Sequence, residues 1–581
     1  MKNIADVSFS DVWFSISKFM LKFFILNLFI FNLILLIPAR AQPDISFNAK
    51  DEYYKRILQI SGLSDDPSSY GLRPAVFNAE YLANPWSRIF TDHNRYVLPF
   101  GNVGGLALFE PVWFQSYNTA LPKGGNDGAI WQGRGYNTAF SAGMKLELGP
   151  LHVQFRPVTG MAQNRDFDLG PYRLSRISAY GIDYEPSEFA YSSFRAGVDY
   201  VQRYGDEAYR WYDLGESSID LRYGGFMVSA SNKKIFTGPA HNVSLQFGYN
   251  APGFRHLYVG TYRPLMSAIG NFEFAYIFGG IRESDYFTVN KGFGMLSVNS
   301  LIVVYKPGFS EGFSIGFIRS YFHPYPDSFD QYWNQAKKLF EPGLREAIED
   351  NGEPRGADPD NQIGSVFFRY FLPDHQFEIY GEYGRNDHSG NWRDFRAQPN
   401  HHRAYTIGGT KTMFLPKNRL LAVNIEINQL EAMRTALIRG ESHLGGWYTH
   451  TSQVLGFSNT GQILGSPYGP GVNLQKIRGE VLGPSGGIAL KIARITYHNS
   501  RMDQYFDQVL AANQIIVERW EVRNIELLFG AEITAFLKYG LELSAVIEQS
   551  IIFNHHHILD NDRGNTRMEL VFRKNVRGWR R

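Results

Sequence analysis

Cysteine is absent from this 581-residue chain. That excludes a disulfide framework, a thiolate metal site and the acylated N-terminal cysteine of a lipoprotein. Long apolar runs are also absent beyond residue 37, so any membrane crossing must be made by strands closed into a barrel. Charge bias is missing too. Lys and Arg number 58 against 56 Asp and Glu, a net +2 that leaves no global basic field for nucleic acid. What the chain has in quantity is glycine (57), Tyr (34) and Phe (45), at a mean hydropathy of −0.27. Aromatics suit interfacial girdles, and glycines suit crowded positions inside a barrel.

One stretch sets the pattern. From Gly135 to Leu148 the side chains alternate without a break. Tyr136, Thr138, Phe140, Ala142, Met144, Leu146 and Leu148 share one face, and Gly135, Asn137, Ala139, Ser141, Gly143, Lys145 and Glu147 share the other. A period of two is a strand with one apolar and one polar face. Gly149-Pro150 then makes a two-residue turn, after which Leu151, Val153 and Phe155 alternate with His152, Gln154 and Arg156. The apolar faces coincide only if Leu148 opposes Leu151 and Glu147 opposes His152. The strand is long enough to cross a bilayer when tilted, although a soluble β-sandwich hairpin fits this stretch taken alone.

The N-terminus carries an export signal. Residues 23–37 are an apolar core behind Lys18 and Lys22, and Pro38-Ala39-Arg40-Ala41 ends it with a small-residue cleavage pattern, giving a signal peptide over 1–41. The long n-region with Asp6 and Asp11 points to Met20 as the true start. Residues 42–103 read as a helical and irregular periplasmic segment. Within it Tyr54, Ile57 and Leu58 lie on one helical stripe that Gly62 and Pro67 close.

From 104 to 573 strand pairs repeat, and their connections alternate between short and long. Short turns fall at Pro307-Gly308-Phe309-Ser310-Glu311, Leu372-Pro373-Asp374-His375 and Leu415-Pro416-Lys417-Asn418. Between them lie a long insertion at about 323–361, with a predicted helix from Phe329, and a segment at 385–402. This asymmetry is that of an outer-membrane barrel, short turns periplasmic and long loops extracellular. The fold class expected is therefore all-β: a transmembrane antiparallel β-barrel in the bacterial outer membrane. The roughly 540 residues after the signal allow about 16–18 strands. A tail over 574–581 follows the last strand, expected at Arg567–Arg573.

Several loops carry distinctive sequences: Asn126-Asp127-Gly128-Ala129-Ile130-Trp131-Gln132-Gly133-Arg134-Gly135, the run from Glu378 through Glu382, Arg385-Asn386-Asp387-His388 and Asn391-Trp392-Arg393 to His401-His402-Arg403, and Gly461–Gly465 with Tyr468–Asn473. With Leu72-Arg73-Pro74 near the N-terminus, these make the chain resemble the capsule assembly protein Wzi family over nearly its whole mature length. The resemblance implies an outer-membrane barrel of roughly 18 strands and a lectin-like role, holding capsular or exopolysaccharide at the cell surface. Outer-membrane lipid and lipopolysaccharide are its other expected partners, with the polysaccharide export machinery as a further candidate; nucleic acid is not. No cofactor or metal and no catalytic group are expected. A saccharide-selective or general porin is the alternative.

In the loops, planar donors, carboxylates and aromatic faces suit sugar hydroxyls and uronates. The candidate polysaccharide-binding residues are Trp131, Arg134, Asn137, Glu382, Arg385, Asp387, His388, Trp392, Arg393 and His402. Arg134 falls at the outer rim, where it would meet lipopolysaccharide phosphates or end its strand. The same loop composition would also serve a network that packs on itself to close the barrel. Glu378 and Glu382 face the lumen about 13 Å apart, too far for an acid/base dyad, and pairing with arginines such as Arg156 or Arg369 is the expectation. His555-His556-His557 lie on alternating faces, which opposes metal binding. The G-x-S-x-G runs at Gly308–Gly312 and Gly483–Gly487 lack the strand-to-helix elbow of a hydrolase.

Overall fold

The computed structural model describes residues 49–64, 66–73, 96–169, 187–191, 197–288, 294–340, 361–386, 396–400, 402–431, 447–450, 453–497, 522–538 and 541–574. The segment 1–41, read from the sequence as an export signal, and the final residues 575–581 lie outside them. No helix among the described residues is long and apolar enough to cross a membrane. The crossing is made by strands, which close into an antiparallel barrel of 18.

In chain order they begin with β1 Gly104–Asn118, β2 Gly135–Leu148, β3 Leu151–Phe155 with Val158–Ala162, and β4 Tyr209–Asp213 with Ser218–Tyr223. Next come β5 Phe226–Ser231, β6 Arg255–Thr261 with Leu265–Ser267, β7 Gly270–Arg282, β8 Met295–Pro307 and β9 Phe313–Pro324. Then follow β10 Asn361–Leu372, β11 Phe377–Asn386, β12 Arg403–Leu415, β13 Arg419–Gln429 and β14 Asn473–Gly483. The last four are β15 Gly486–Thr496, β16 Ile525–Leu537, β17 Leu541–Phe553 and β18 Arg563–Lys574, and β18 pairs with β1 to close the ring. β18 starts four residues before the apolar alternation does, because Arg563, Gly564, Asn565 and Thr566 continue the ladder without apolar side chains. β3 is interrupted at Arg156-Pro157, since proline has no N–H to give the ladder.

Burial is inverted relative to a soluble protein. On β2 Phe140, Met144 and Leu148 are exposed, while Asn137, Ser141 and Lys145 on the other face are buried. The same outward exposure recurs at Phe377, Ile379 and Tyr383 of β11 and at Ile547 and Ile551 of β17. A closed sheet leaves no unpaired edge, and its apolar exterior is what a bilayer covers. The β2–β3 hairpin has Leu148 opposite Leu151 and Glu147 opposite His152, with Gly149 at a φ of +57° in the turn.

Connections at one end are short: 149–150, 224–225, 268–269, 308–312, 373–376, 416–418, 484–485 and 538–540. All connections at the other end are longer, and this is the extracellular end. One of them, 325–360, contains the helix Phe329–Lys337, which Ser328 caps by accepting a hydrogen bond from Gln331 N–H.

The lumen is filled from both ends. Helix α1, Ala49–Ile60, sits inside it near the short turns, with Gly62 beside Pro373. Its stripe of Tyr54, Ile57 and Leu58 packs on the inward side chains Leu420, Ala422 and Leu482. Burying each of those three contributes about 1.5–3 kcal/mol. The connection 232–254 folds inward from the opposite end. Phe236–Thr237 pairs there with Leu72–Arg73, and Arg73 donates to the carbonyls of Gly238 and Ala240. Val243, Leu245 and Phe247 join Tyr448, Leu455, Phe457 and Ile463 in one core, set against inward apolar residues of β7–β10 such as Ile277, Val298, Ile318 and Ile363.

Candidate functional site

The inward plug is tied to the wall by two carboxylates. Glu378 Oε2 accepts from Arg56 Nε at 3.0 Å and from Arg369 Nε at 2.8 Å, and its Oε1 lies 2.8 Å from His241 Nε2. Thus one wall residue holds α1 and the 232–254 connection together. Glu426 accepts the backbone N–H groups of His241, Asn242 and Val243, and the Tyr380 hydroxyl at 2.7 Å. Three convergent backbone donors on one carboxylate make an anion nest. Of the two lumen acids, Glu378 has the expected arginine partner, Arg369, joined by Arg56, whereas Glu382 accepts from Ser365 Oγ and forms no ion pair among the described residues. Arg156 instead lies over the Phe109 ring, 4.9 Å from its centroid.

Above this plug, long connections converge on a cleft of about 220 Å³, more than ten times what one water needs. The 119–134 connection contributes Lys123, Asp127, Trp131 and Gln132, and the others supply Tyr191, Tyr200, Tyr468 and Tyr497, with Glu526 at the base. Lys123 Nζ is 2.8 Å from both oxygens of Glu526 and 3.1 Å from the Tyr497 hydroxyl, which itself donates to Glu526 at 2.5 Å. Asp127 accepts from Gly125 N–H at 2.6 Å and Gln132 Nε2 at 2.7 Å, while burial pushes its carboxyl pKa up. Trp131 meets Tyr204 edge to face at 4.8 Å, and its indole N–H has no hydrogen-bond partner among the described residues. The arrangement offers aromatic faces beside pre-oriented donors and acceptors, with its central charges already paired. It can hold a polyhydroxylated ring.

The sequence-derived candidates separate. Trp131 lines the cleft. Arg134 lies at the outer rim, its guanidinium donating to the carbonyls of Thr119 and Asp166. Asn137 is buried, donating to Ser116 Oγ and to the carbonyls of Gly133 and Gly135. Glu382 is buried in the lumen and accepts from Ser365 Oγ at 2.7 Å. Arg385 is half-buried near the extracellular end of β11, opposite Arg403, and the carbonyl of His402 accepts from Asn386 N–H at 3.0 Å. Asp387, His388, Trp392 and Arg393 lie outside the described residues. Lys123, Asp127, Tyr200, Tyr468, Tyr497 and Glu526 were missed. Asp127 and Tyr468 fall in two of the distinctive loop sequences, the other tyrosines show only as a clustering in long connections, and Lys123 and Glu526 carry no sequence signal. In the histidine run, His556 Nε2 lies 3.0 Å from the Asp168 carbonyl and His557 Nδ1 lies 3.2 Å from that of Val522.

A closed 18-strand barrel with an apolar exterior is an outer-membrane protein, and the bacterial outer membrane is where this one resides. No protein-family model matches the chain, and no curated protein matches it. Among solved structures, similar ones include Wzi, a carbohydrate-binding β-barrel involved in group 1 capsule assembly in Escherichia coli. It matches at a TM-score of 0.49 and 10% identity, over 80% of this chain and 84% of that one. A BenF-like porin from Pseudomonas fluorescens Pf-5 matches at 0.38 and 8%, over 81% and 98%. OprD from Pseudomonas aeruginosa matches at 0.35 and 8%, over 80% and 92%. Likenesses this distant leave the choice of ligand to the geometry of the cleft.

Proposed function

We propose that this barrel is a non-enzymatic, lectin-like protein that holds capsular or exopolysaccharide at the cell surface. The observation that carries the reading is the pairing of a filled lumen with an aromatic, polar cleft at the extracellular mouth. Binding sites for small polar ligands combine apolar and aromatic walls with a few fixed polar groups, and this cleft has that make-up. The sequence resemblance to the Wzi family supports the same reading. Trp131 supplies the stacking face, and Lys123, Asp127, Gln132 and Tyr497 supply the polar contacts. Asn137 and Glu382, buried in the wall, act as supports of the fold rather than as contacts. The serines of both G-x-S-x-G runs fall in short turns at the far end from the cleft, which supports a non-enzymatic role.

A porin, selective or general, draws support from the strand number, since barrels of 16–18 strands leave an aqueous channel unless something fills it. The buried plug weighs against it. The test uses purified protein and the polysaccharide of the parent strain. Wild-type protein is expected to bind it, with Trp131→Ala weakened about tenfold by loss of the stacking face, and to give no steady conductance in a planar bilayer. Steady open-channel conductance with no polysaccharide binding would favour the porin.

A further inference from the structure

The lipid-facing wall has its own concavity, of about 470 Å³, near the extracellular rim. It lies where β1 to β4 run side by side and is lined by Tyr117, Tyr136, Met161, Gln163, Arg165 and Ala208. Tyr117 opposes Tyr136, Met161 opposes Thr138, and Arg210 opposes Met161. Opposed residues in antiparallel strands put their Cβ atoms about 4.5–5.5 Å apart on one face. Arg210 therefore stands beside Met161 on the outward face, just below the hollow. Ala208, one residue before β4, is the short side chain that leaves the space open.

The polar groups around the hollow are unevenly engaged. The Tyr136 hydroxyl donates to Gln115 Oε1 at 2.9 Å, and Gln163 Oε1 accepts from Tyr136 N–H at 3.1 Å. Arg134 is tied to two backbone carbonyls above. Arg165 and Arg210 are exposed and form no ion pair among the described residues. Asp166 follows Arg165 directly, Glu207 precedes Ala208, and Asp168 faces Arg563 at 3.9 Å. Guanidinium groups carry their charge at every accessible pH and match phosphate oxygens in a two-pronged geometry. Aromatic rings settle where acyl chains meet headgroups.

We propose that this hollow docks a phosphorylated glycolipid of the outer leaflet. The phosphorylated sugar rests in the hollow on Tyr117, Tyr136 and Met161 with a phosphate between Arg165 and Arg210, and the acyl chains run down the wall past Phe140 and Tyr212, which stand on the next outward row. The position explains why two cations with no ion pair among the described residues stand on a wall that otherwise faces hydrocarbon: they mark the height at which lipid phosphates begin.

Native mass spectrometry of the purified full-length protein tests this with four probes: diphosphorylated lipid A, its dephosphorylated form, phosphatidylglycerol and inorganic phosphate. The wild type should bind the diphosphorylated lipid at least tenfold tighter than the dephosphorylated one. Arg165→Ala with Arg210→Ala should lose that preference while keeping the heat-modifiable gel mobility of a folded barrel. Asp166→Asn, which removes a nearby negative charge and no contact, should tighten binding, and it keeps the test open if the double variant fails to insert. Equal binding of both lipid A forms, an unchanged double variant, equal uptake of phosphatidylglycerol, or displacement of the lipid by inorganic phosphate at matched concentration would each overturn the proposal.

Discussion

Replacing Glu378 by glutamine should free α1 from the lumen without unfolding the barrel. Its carboxylate serves Arg56 of α1 and Arg369 of the wall, and none of the three side chains is more than 1% exposed. Glutamine keeps the shape and removes the charge, so two guanidinium groups remain buried without their common counter-ion. Taking one partner from a buried ion pair costs about 3–5 kcal/mol because the survivor cannot be solvated. The wall cannot move, being fixed in an 18-strand ladder, whereas α1 can withdraw and carry Arg56 to water. Holding it back is the burial of Tyr54, Ile57 and Leu58, at about 1.5–3 kcal/mol each. The penalty is thus a large part of the docking energy, and at tenfold for every 1.4 kcal/mol it raises the undocked fraction by about two to three orders of magnitude. Protease should cut near residue 62 in the variant only, while planar-bilayer recording stays closed because the 232–254 connection still fills the lumen. A variant whose α1 remains protected would show that the carboxylate does not hold the helix.

Further outcomes follow from other parts of the chain. Trp392→Ala with Arg393→Ala should fold normally and shed polysaccharide into the medium; retention at the parent level would remove that loop from the binding role. Asp199 accepts from Ser284 N–H at 2.6 Å and Ser284 Oγ at 2.8 Å, and burial pushes its carboxyl up to about 7 from 3.8. A raised carboxyl pKa gives stability that is full below 3.8 and is lost as pH climbs to about 7, by at most about 4 kcal/mol. Asp199→Asn should flatten that slope in amide exchange over 455–461, and an undiminished slope would assign it to another group. Ile547→Arg on the lipid face should cost about 2–4 kcal/mol and lower the temperature of the gel-mobility shift; no change would mean that this face is not in lipid.

The barrel was legible because its rule is local. Alternation over Gly135–Leu148 and the short turns at Gly149-Pro150 and Pro373–His375 depend on neighbours in sequence, and the observed strands run past the apolar alternation into polar ends such as Asn386, Gln429 and, by four residues, Arg563. The stripe on α1 was legible for the same reason. That it would find its partner inside the lumen was not, because Arg56 meets Glu378 across 322 positions. The inward connection 232–254 was missed too. Val243, Leu245 and Phe247 alternate as a strand would, yet the N–H groups at 241–243 go to Glu426 rather than to a ladder. The cleft was half legible. Trp131 stood out by residue type, but Lys123 meets Tyr497 and Glu526 only once the 119–134 connection folds against the ends of β15 and β16, 374 and 403 positions away.

The most direct measurement is the partition of polysaccharide between cells and medium in a deletion strain carrying either the parent gene or its Trp131→Ala, Lys123→Ala form. The deletion should make polysaccharide at the normal level but shed most of it, the parent gene should restore a cell-bound layer, and the double variant should insert into the outer membrane yet fail to restore it. A deletion strain that keeps its full cell-bound layer would contradict the proposed function.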